Sequence, residues 1–142
     1  MQLYFYNDQF NSAIENYQLT EEQLRFTGKP KDCIELSNED LDRYSILAME
    51  NDQLVTFFDL HKNEGVKPYS NNVHSILLRA FSTESRLQGK GYAKKALMLL
   101  PVFVKENFSE INEIVLAVNL KNEKVQALYK KCGFIDEGVR RM

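Results

Sequence analysis

The sequence predicts a single mixed α/β domain in which helices cover both faces of a central, mostly antiparallel sheet. Three observations predict it. Strand patterns follow one another across residues 44–81, a glycine turn at Gly89 and Gly91 opens an amphipathic helix, and a strand, helix, strand order occupies residues 114–135. At 142 residues and 44% hydrophobic content, the chain can bury one compact core and is too short for two ordinary domains.

Residues 3–6 read as a short strand. Asn7 or Asp8 can cap a helix over residues 10–17, and Thr20-Glu21-Glu22-Gln23 has the spacing of a capping box for a second helix over residues 20–26. Gly28-Lys29-Pro30 breaks the chain, and the polar residues 37–42 read as a turn. Strands at 44–49 and 54–60, joined by Glu50-Asn51-Asp52, form a hairpin; a third at 73–81 has an Ile76-Leu77-Leu78 centre that suits burial on both faces. The three make an antiparallel meander.

After Gly91, the apolar residues Ala93, Ala96, Leu97, Leu100, Val104 and Phe108 fall at helical steps. Pro101 lies among them and predicts a kink or an early end, because proline removes a backbone donor and clashes with the preceding turn. Residues 114–118 form another buried strand. A second amphipathic helix spans residues 122–132 and stops at Gly133, and Phe134-Ile135 begins a last strand.

Composition excludes several functions. The longest apolar stretch, residues 96–104, falls short of the roughly 20 residues that span a bilayer, and the first residues lack a secretory pattern, so a soluble cytoplasmic protein without membrane association is expected. Cys33 and Cys132 are then expected as free thiols, and no metal is assigned because neither they nor His61 and His74 are closely spaced. Net charge is −2, yet residues 1–78 hold 6 basic and 13 acidic side chains while residues 79–142 hold 12 and 7. No basic stripe interleaved with aromatics suggests nucleic acid. The asymmetry suits a second half that holds a polyanion and a first half that faces a cation.

The polyanion site is the turn Gln88-Gly89-Lys90-Gly91-Tyr92-Ala93. A helix N-terminus after a strand presents unpaired N–H groups, glycines allow the backbone close to an anion, and Arg86, Lys90 and Lys94 add positive charge. Alone, this describes an anion-binding turn. A P-loop fails because Gly89-Lys90 is followed by Gly91-Tyr92 without a hydroxyl for magnesium, and a dinucleotide fingerprint fails because Gly89-Lys90-Gly91-Tyr92-Ala93 ends on Lys94.

Arg86-x-x-Gly89-x-Gly91 resembles the CoA pyrophosphate loop of the GNAT acetyltransferase superfamily. A second element matches the same superfamily: Asn122, Val125, Leu128, Tyr129, Gly133 and Phe134 keep the spacing of Asn-x-x-Ala-x-x-Leu-Tyr-x-x-x-Gly-Phe, with Val125 replacing alanine. The resemblance covers residues 44–134. It implies a sheet splayed near Asn119 and acetyl-CoA as the acetyl donor. By the same resemblance, Phe81, Ser82 and Thr83 offer backbone groups to the pantetheine, and the amides of residues 88–93 hold the pyrophosphate. Asn122 bonds the pantetheine, with Asn119 nearby, and Tyr129 protonates the leaving thiolate.

The acceptor implied is a small primary amine, cationic as a polyamine is, with a protein-lysine or peptide acetyltransferase and a non-catalytic CoA sensor as the alternatives. Where some members carry a glutamate base, this chain has Ser75, next to His74; Asp59, His61 and Glu35 are the other candidates. Members finish with a hairpin whose further strand returns after the one containing Phe134; with nothing after Met142 to supply it, the expectation is that residues are absent from this sequence, that a partner chain donates the strand, or that an edge stays open for pairing between subunits.

Overall fold

The computed structural model describes residues 1–116, 122–136 and 140–141. Seven strands form one sheet in the order β1-β2-β3-β4-β5-β7-β6. They are β1 (Gln2–Phe5), β2 (Arg43–Glu50), β3 (Gln53–Lys62), β4 (Ser75–Thr83), β5 (Glu113–Leu116), β6 (Ile135–Asp136) and β7 (Arg140–Arg141). Neighbours are antiparallel except β4 and β5, which run parallel from Ser75↔Glu113 to Leu78↔Leu116. A parallel pair needs a crossover, and helix α4 (Tyr92–Asn107) provides it. The remaining helices are α1 (Asn11–Asn16), α2 (Glu21–Leu24), α3 (Pro30–Glu39) and α5 (Glu123–Lys131).

Strand alternation divides the core. Ile46, Phe58, Leu60, Ile76 and Leu78 point toward α4 and α5, where Leu97, Leu100, Val104 and Tyr129 meet them. Leu47, Phe57 and Leu54 point the other way, against Ile14, Tyr17, Cys33 and Ile34 of the α1 and α3 side. The central residues of β4 are buried on both faces, as their pattern predicts. The β2–β3 hairpin turns on Asn51 and Asp52 at φ 50° and 63°, the left-handed pair that matches the twist of the two strands.

Three local expectations are corrected. Residues expected as a turn at 37–42 instead begin with the last turn of α3, a helix whose Pro30 occupies the first turn, where its missing N–H costs nothing, and whose Cys33 and Ile34 bury against the sheet. Helix α4 continues through Pro101 to Asn107, because Phe103 and Val104 beyond the proline remain packed on the core. The returning C-terminal strand is not missing: β7 lies between β5 and β6, with Val115↔Arg141 and Ile135↔Arg141 in register. The expected splay near Asn119, and Asn119 itself, lie outside the described residues.

Among the described residues, no helix is long and apolar enough to cross a membrane, and no cluster of metal-ligating side chains occurs.

Candidate active site

Between Leu78 and Thr83 the strand β4 departs from regularity. Its register with β3 passes from Asp59↔Arg79 to Phe57↔Ser82, leaving Ala80 and Phe81 unmatched, and Ala80 takes φ 55°. A left-handed alanine costs roughly 1–2 kcal/mol, so the surrounding structure must hold this bulge. Tyr17 helps: its hydroxyl donates to the Ser82 carbonyl at 2.7 Å. The described pairing of β4 with β5 runs from Ser75↔Glu113 to Leu78↔Leu116.

Beyond that point a cleft of about 560 Å³ opens between β4, the N-terminus of α4 and α5. Phe81, Ser82, Thr83, Gln88, Gly89, Gly91, Tyr92, Ala93, Lys94, Asn122 and Tyr129 all line it. The structure thus brings together two sequence motifs separated by a strand. Arg86 and Lys90 do not line the cleft. Arg86 Nε donates to Glu84 at 3.0 and 3.1 Å, and another guanidinium nitrogen donates to the Asn16 carbonyl at 2.9 Å. Glu84 is buried, so this arginine is engaged in holding the loop.

Gly89 and Gly91 lie at φ 78° and 82°, and a Cβ at either would meet no atom within 4 Å. Glycine is therefore required by backbone conformation there, and by the space the open face leaves for a ligand. Gly91 precedes α4 directly. The first bond of α4 runs from the Lys95 amide to the Gly91 carbonyl at 3.1 Å, so the amides of Tyr92, Ala93 and Lys94 ahead of it have no partner within the helix. These amides, with the positive end of the helix behind them and two left-handed glycines in front, make an anion cradle.

At the strand side, some groups expected to be available are already taken. The Thr83 carbonyl accepts from Gln23 Nε2 at 2.7 Å, and the Ser82 carbonyl accepts from Tyr17. Phe81 lies in the bulge, outside the paired register with β3, and lines the cleft. Asn122 caps α5, its Oδ1 accepting from the Val125 amide at 3.4 Å.

Tyr129 is 4% exposed, with its ring edge-on to Phe81 at 6.0 Å and tilted against Phe134 at 5.5 Å. Burial pushes its phenol above the ordinary tyrosine range. It is therefore a proton-bearing group at neutral pH and cannot serve as a base there.

None of the base candidates reaches the cleft. Asp59 is fully buried, accepts from Arg43 Nε at 2.6 Å and Ser45 Oγ at 2.8 Å, and is pushed upward by burial against the pull of those partners. His61 is engaged at both nitrogens, with Asp40 at 2.8 Å and Arg79 at 3.3 Å. Ser75 Oγ donates to the Asn72 carbonyl, and Glu35 and His74 line no cavity.

Residues 20–27 form a wall that the motifs do not announce. Thr20, Glu22, Gln23, Phe26 and Thr27 line the cleft, and Gln23 closes the capping box of α2 while reaching Thr83. The capping box is legible in sequence; its place beside β4 depends on tertiary packing. Phe26, Thr27, Leu78, Arg79 and Ala80 also line a second cavity, of about 340 Å³, on the α3 side of the sheet. Two cavities thus meet at the β4 bulge. Cys33 lines the second, but burial pushes its thiol up to about 11, so it is not a thiolate at neutral pH.

Residues 6–134 match the Acetyltransferase (GNAT) family. Over 141 residues the chain is 40% identical to the uncharacterized N-acetyltransferase YbbJ of Bacillus subtilis (strain 168), covering 99% of this chain and 88% of that protein. Among solved structures, aminoglycoside acetyltransferase AAC(6')-Ib in complex with coenzyme A and kanamycin superposes with a TM-score of 0.80 at 11% identity, over 99% of this chain and 92% of that one. The spermidine N-acetyltransferase of Vibrio cholerae in complex with CoA and spermine gives 0.72 at 18%, over 99% and 92%. At such identities these two structures speak for the fold alone.

Proposed function

Because this chain belongs to the GNAT acetyltransferase family and is an N-acetyltransferase, we propose that it transfers the acetyl group of acetyl-CoA to the nitrogen of a small cationic amine. One observation carries the reading of the donor site: the glycine turn and the first-turn amides of α4, at Tyr92, Ala93 and Lys94, share one cleft with Tyr129 and Asn122. The pyrophosphate lies over these amides, with Lys94 adding charge. The pantetheine runs along β4 past the bulge at Phe81 and bonds Asn122, which brings the thioester to Tyr129.

The deprotonated amine attacks the thioester carbonyl, negative charge develops on oxygen, and collapse breaks the C–S bond. The Tyr129 hydroxyl donates to the departing sulfur. With its pKa raised by burial, full transfer to a thiolate of ordinary basicity is uphill, so hydrogen bonding carries most of the stabilisation, and the proton left by the attacking ammonium restores the balance. None of the expected base candidates lines the cleft, so the ammonium loses its proton through water. Placement of the reactants supplies most of the rate; it is worth about 7–11 kcal/mol in well-oriented systems.

The 13 acidic against 6 basic residues before Arg79 support a cationic acceptor, the class to which polyamines belong. Titration calorimetry with acetyl-CoA, followed by mass-spectrometric detection of free CoA over an amine library, tests the proposal. Replacing Gly89 and Gly91 with valine is expected to weaken acetyl-CoA at least about tenfold, because side chains then cover the amide cradle. Unchanged affinity refutes the placement of the donor. Binding without CoA release on any amine refutes turnover and favours a CoA sensor.

A further inference from the structure

The second cavity, about 340 Å³ on the α3 side of β4, carries a charge pattern that the general reading of a cationic amine does not use. A polar row crosses the sheet on this side: Ser45↔Asp59 from β2 to β3 and Asp59↔Arg79 from β3 to β4. Within that row Arg43 is neutralised, its Nε 2.6 Å from Asp59 and its side chain 8% exposed. Arg79 is different. It is exposed, its guanidinium lies 3.3 Å from His61 Nδ1, and its charge favours the ionised form of Asp59 opposite it, but among the described residues no carboxylate oxygen lies within ion-pair distance of it. His61 in turn donates from Nε2 to Asp40, which fixes the tautomer that leaves Nδ1 free to accept.

Arg79 lines both cavities, so this residue stands on the wall that donor and acceptor share, whereas Asp32 lines the second cavity alone. Asp32 is that cavity's only carboxylate among the described lining residues, and it has no hydrogen-bond or ion-pair partner among them. An acceptor matching this arrangement has an anionic group within a few bonds of its reacting nitrogen and a cation at its far end. Resting on the reading of the chain as a small-amine acetyltransferase, we propose that the acceptor is a basic α-amino acid, acetylated on its α-nitrogen, with its carboxylate on Arg79 and its side-chain cation toward Asp32.

The charge of residues 1–78 draws in a molecule of net positive charge, and a basic amino acid has one. A polyamine meets that long-range requirement but sets an ammonium beside Arg79. A like-charge contact of this kind discriminates against the wrong partner more strongly than a missing attraction does. The reaction balances without further reagents: the α-nitrogen gains the acetyl group, the C–S bond breaks, and of the two protons the ammonium loses one ends on the CoA thiol and the other in solvent.

Matched pairs test it. Lysine, ornithine and arginine are compared with cadaverine, putrescine and agmatine, which differ only in lacking the carboxylate, with acetyl-CoA held saturating. The amino acids are expected to exceed their partners in kcat/KM by about tenfold or more, the scale of a charge-assisted bidentate hydrogen bond, and fragmentation of the product is expected to place the acetyl group on the α-nitrogen. Arg79→Gln should raise KM for the amino acids and erase the gap within each pair without altering acetyl-CoA affinity, and Arg79→Lys should restore part of it. Asp32→Asn should reduce the advantage of lysine over a neutral amino acid of similar length. Equal or faster turnover of the diamines, side-chain acetylation, or an Arg79→Gln effect equal on both members of a pair overturns this inference and leaves the proposed acetyltransfer standing. Absence of turnover with every amine overturns both.

Discussion

Tyr129 and Arg86 show how a residue's role depends on what surrounds it. Tyr129 sits in an apolar enclosure of Phe81 and Phe134, and burial raises its pKa. Tyr129→Phe is expected to lower kcat by about 10²-fold or more while the acetyl-CoA Kd moves less than about twofold; steady-state kinetics and calorimetry measure the two. Because the phenol's pKa is raised, ionisation of Tyr129 should not cut the rate of the wild-type enzyme between about pH 8 and 10, and an alkaline limb in that range lost in Tyr129→Phe refutes the assignment. Arg86 matches the loop motif, yet it serves Glu84 and the Asn16 carbonyl. Arg86→Gln should therefore destabilise the fold, by about 1–3 kcal/mol for leaving a buried carboxylate short of a donor, and should leave the salt dependence of acetyl-CoA binding nearly unchanged. Chemical denaturation and a salt series separate the two effects.

Among the elements, α4 and β4 supply most of the site. Helix α4 begins at left-handed Gly91 and aims its free amides at the cleft, and its Leu97, Leu100 and Val104 fasten that end to the sheet. Pro101 lies exposed in its middle, where it deprives the Leu97 carbonyl of a donor. Pro101→Ala is expected to stabilise the protein by about 1–3 kcal/mol, read as an increase in unfolding free energy with acetyl-CoA affinity unchanged, because the packed face and the helix start stay in place. Strand β4 contributes through irregularity: its bulge at Ala80 takes Phe81 out of the β3 register, and both cavities share its wall. The strand pattern of residues 73–81 contains no sign of that bulge, because a left-handed alanine is imposed by neighbours such as Tyr17 and has no local signature.

For the whole molecule, charge links stability to pH through a few carboxylates. Hydrogen bonds from the Asp42 amide and His61 hold Asp40 below the ordinary carboxylate range, and the N-terminal ammonium does the same for Glu50. Their folded pKa values lie below the unfolded ones, so their contribution is complete above the unfolded value and is lost as pH falls through the folded value. Asp59, raised by burial, has the opposite sign. Asp40→Asn and Glu50→Gln should lower Tm at pH 7, and the difference from wild type should shrink as pH falls below the ordinary carboxylate range; thermal unfolding across pH tests this. Periodicity determined the elements and the fold class, since strand alternation at 44–60 and 73–81 and helical spacing after Gly91 are local consequences of which faces must leave water. Spacing likewise determined the donor cleft, because the glycine turn and the Asn122–Tyr129 helix are each contiguous in the chain. Only the tertiary structure decided that Arg86 holds Glu84, that residues 20–27 wall the cleft, that β7 closes the C-terminal pairing and that Arg79 stands at the junction of two cavities. Those depend on partners many residues away, and a side chain's partner is settled by packing, which no local pattern encodes.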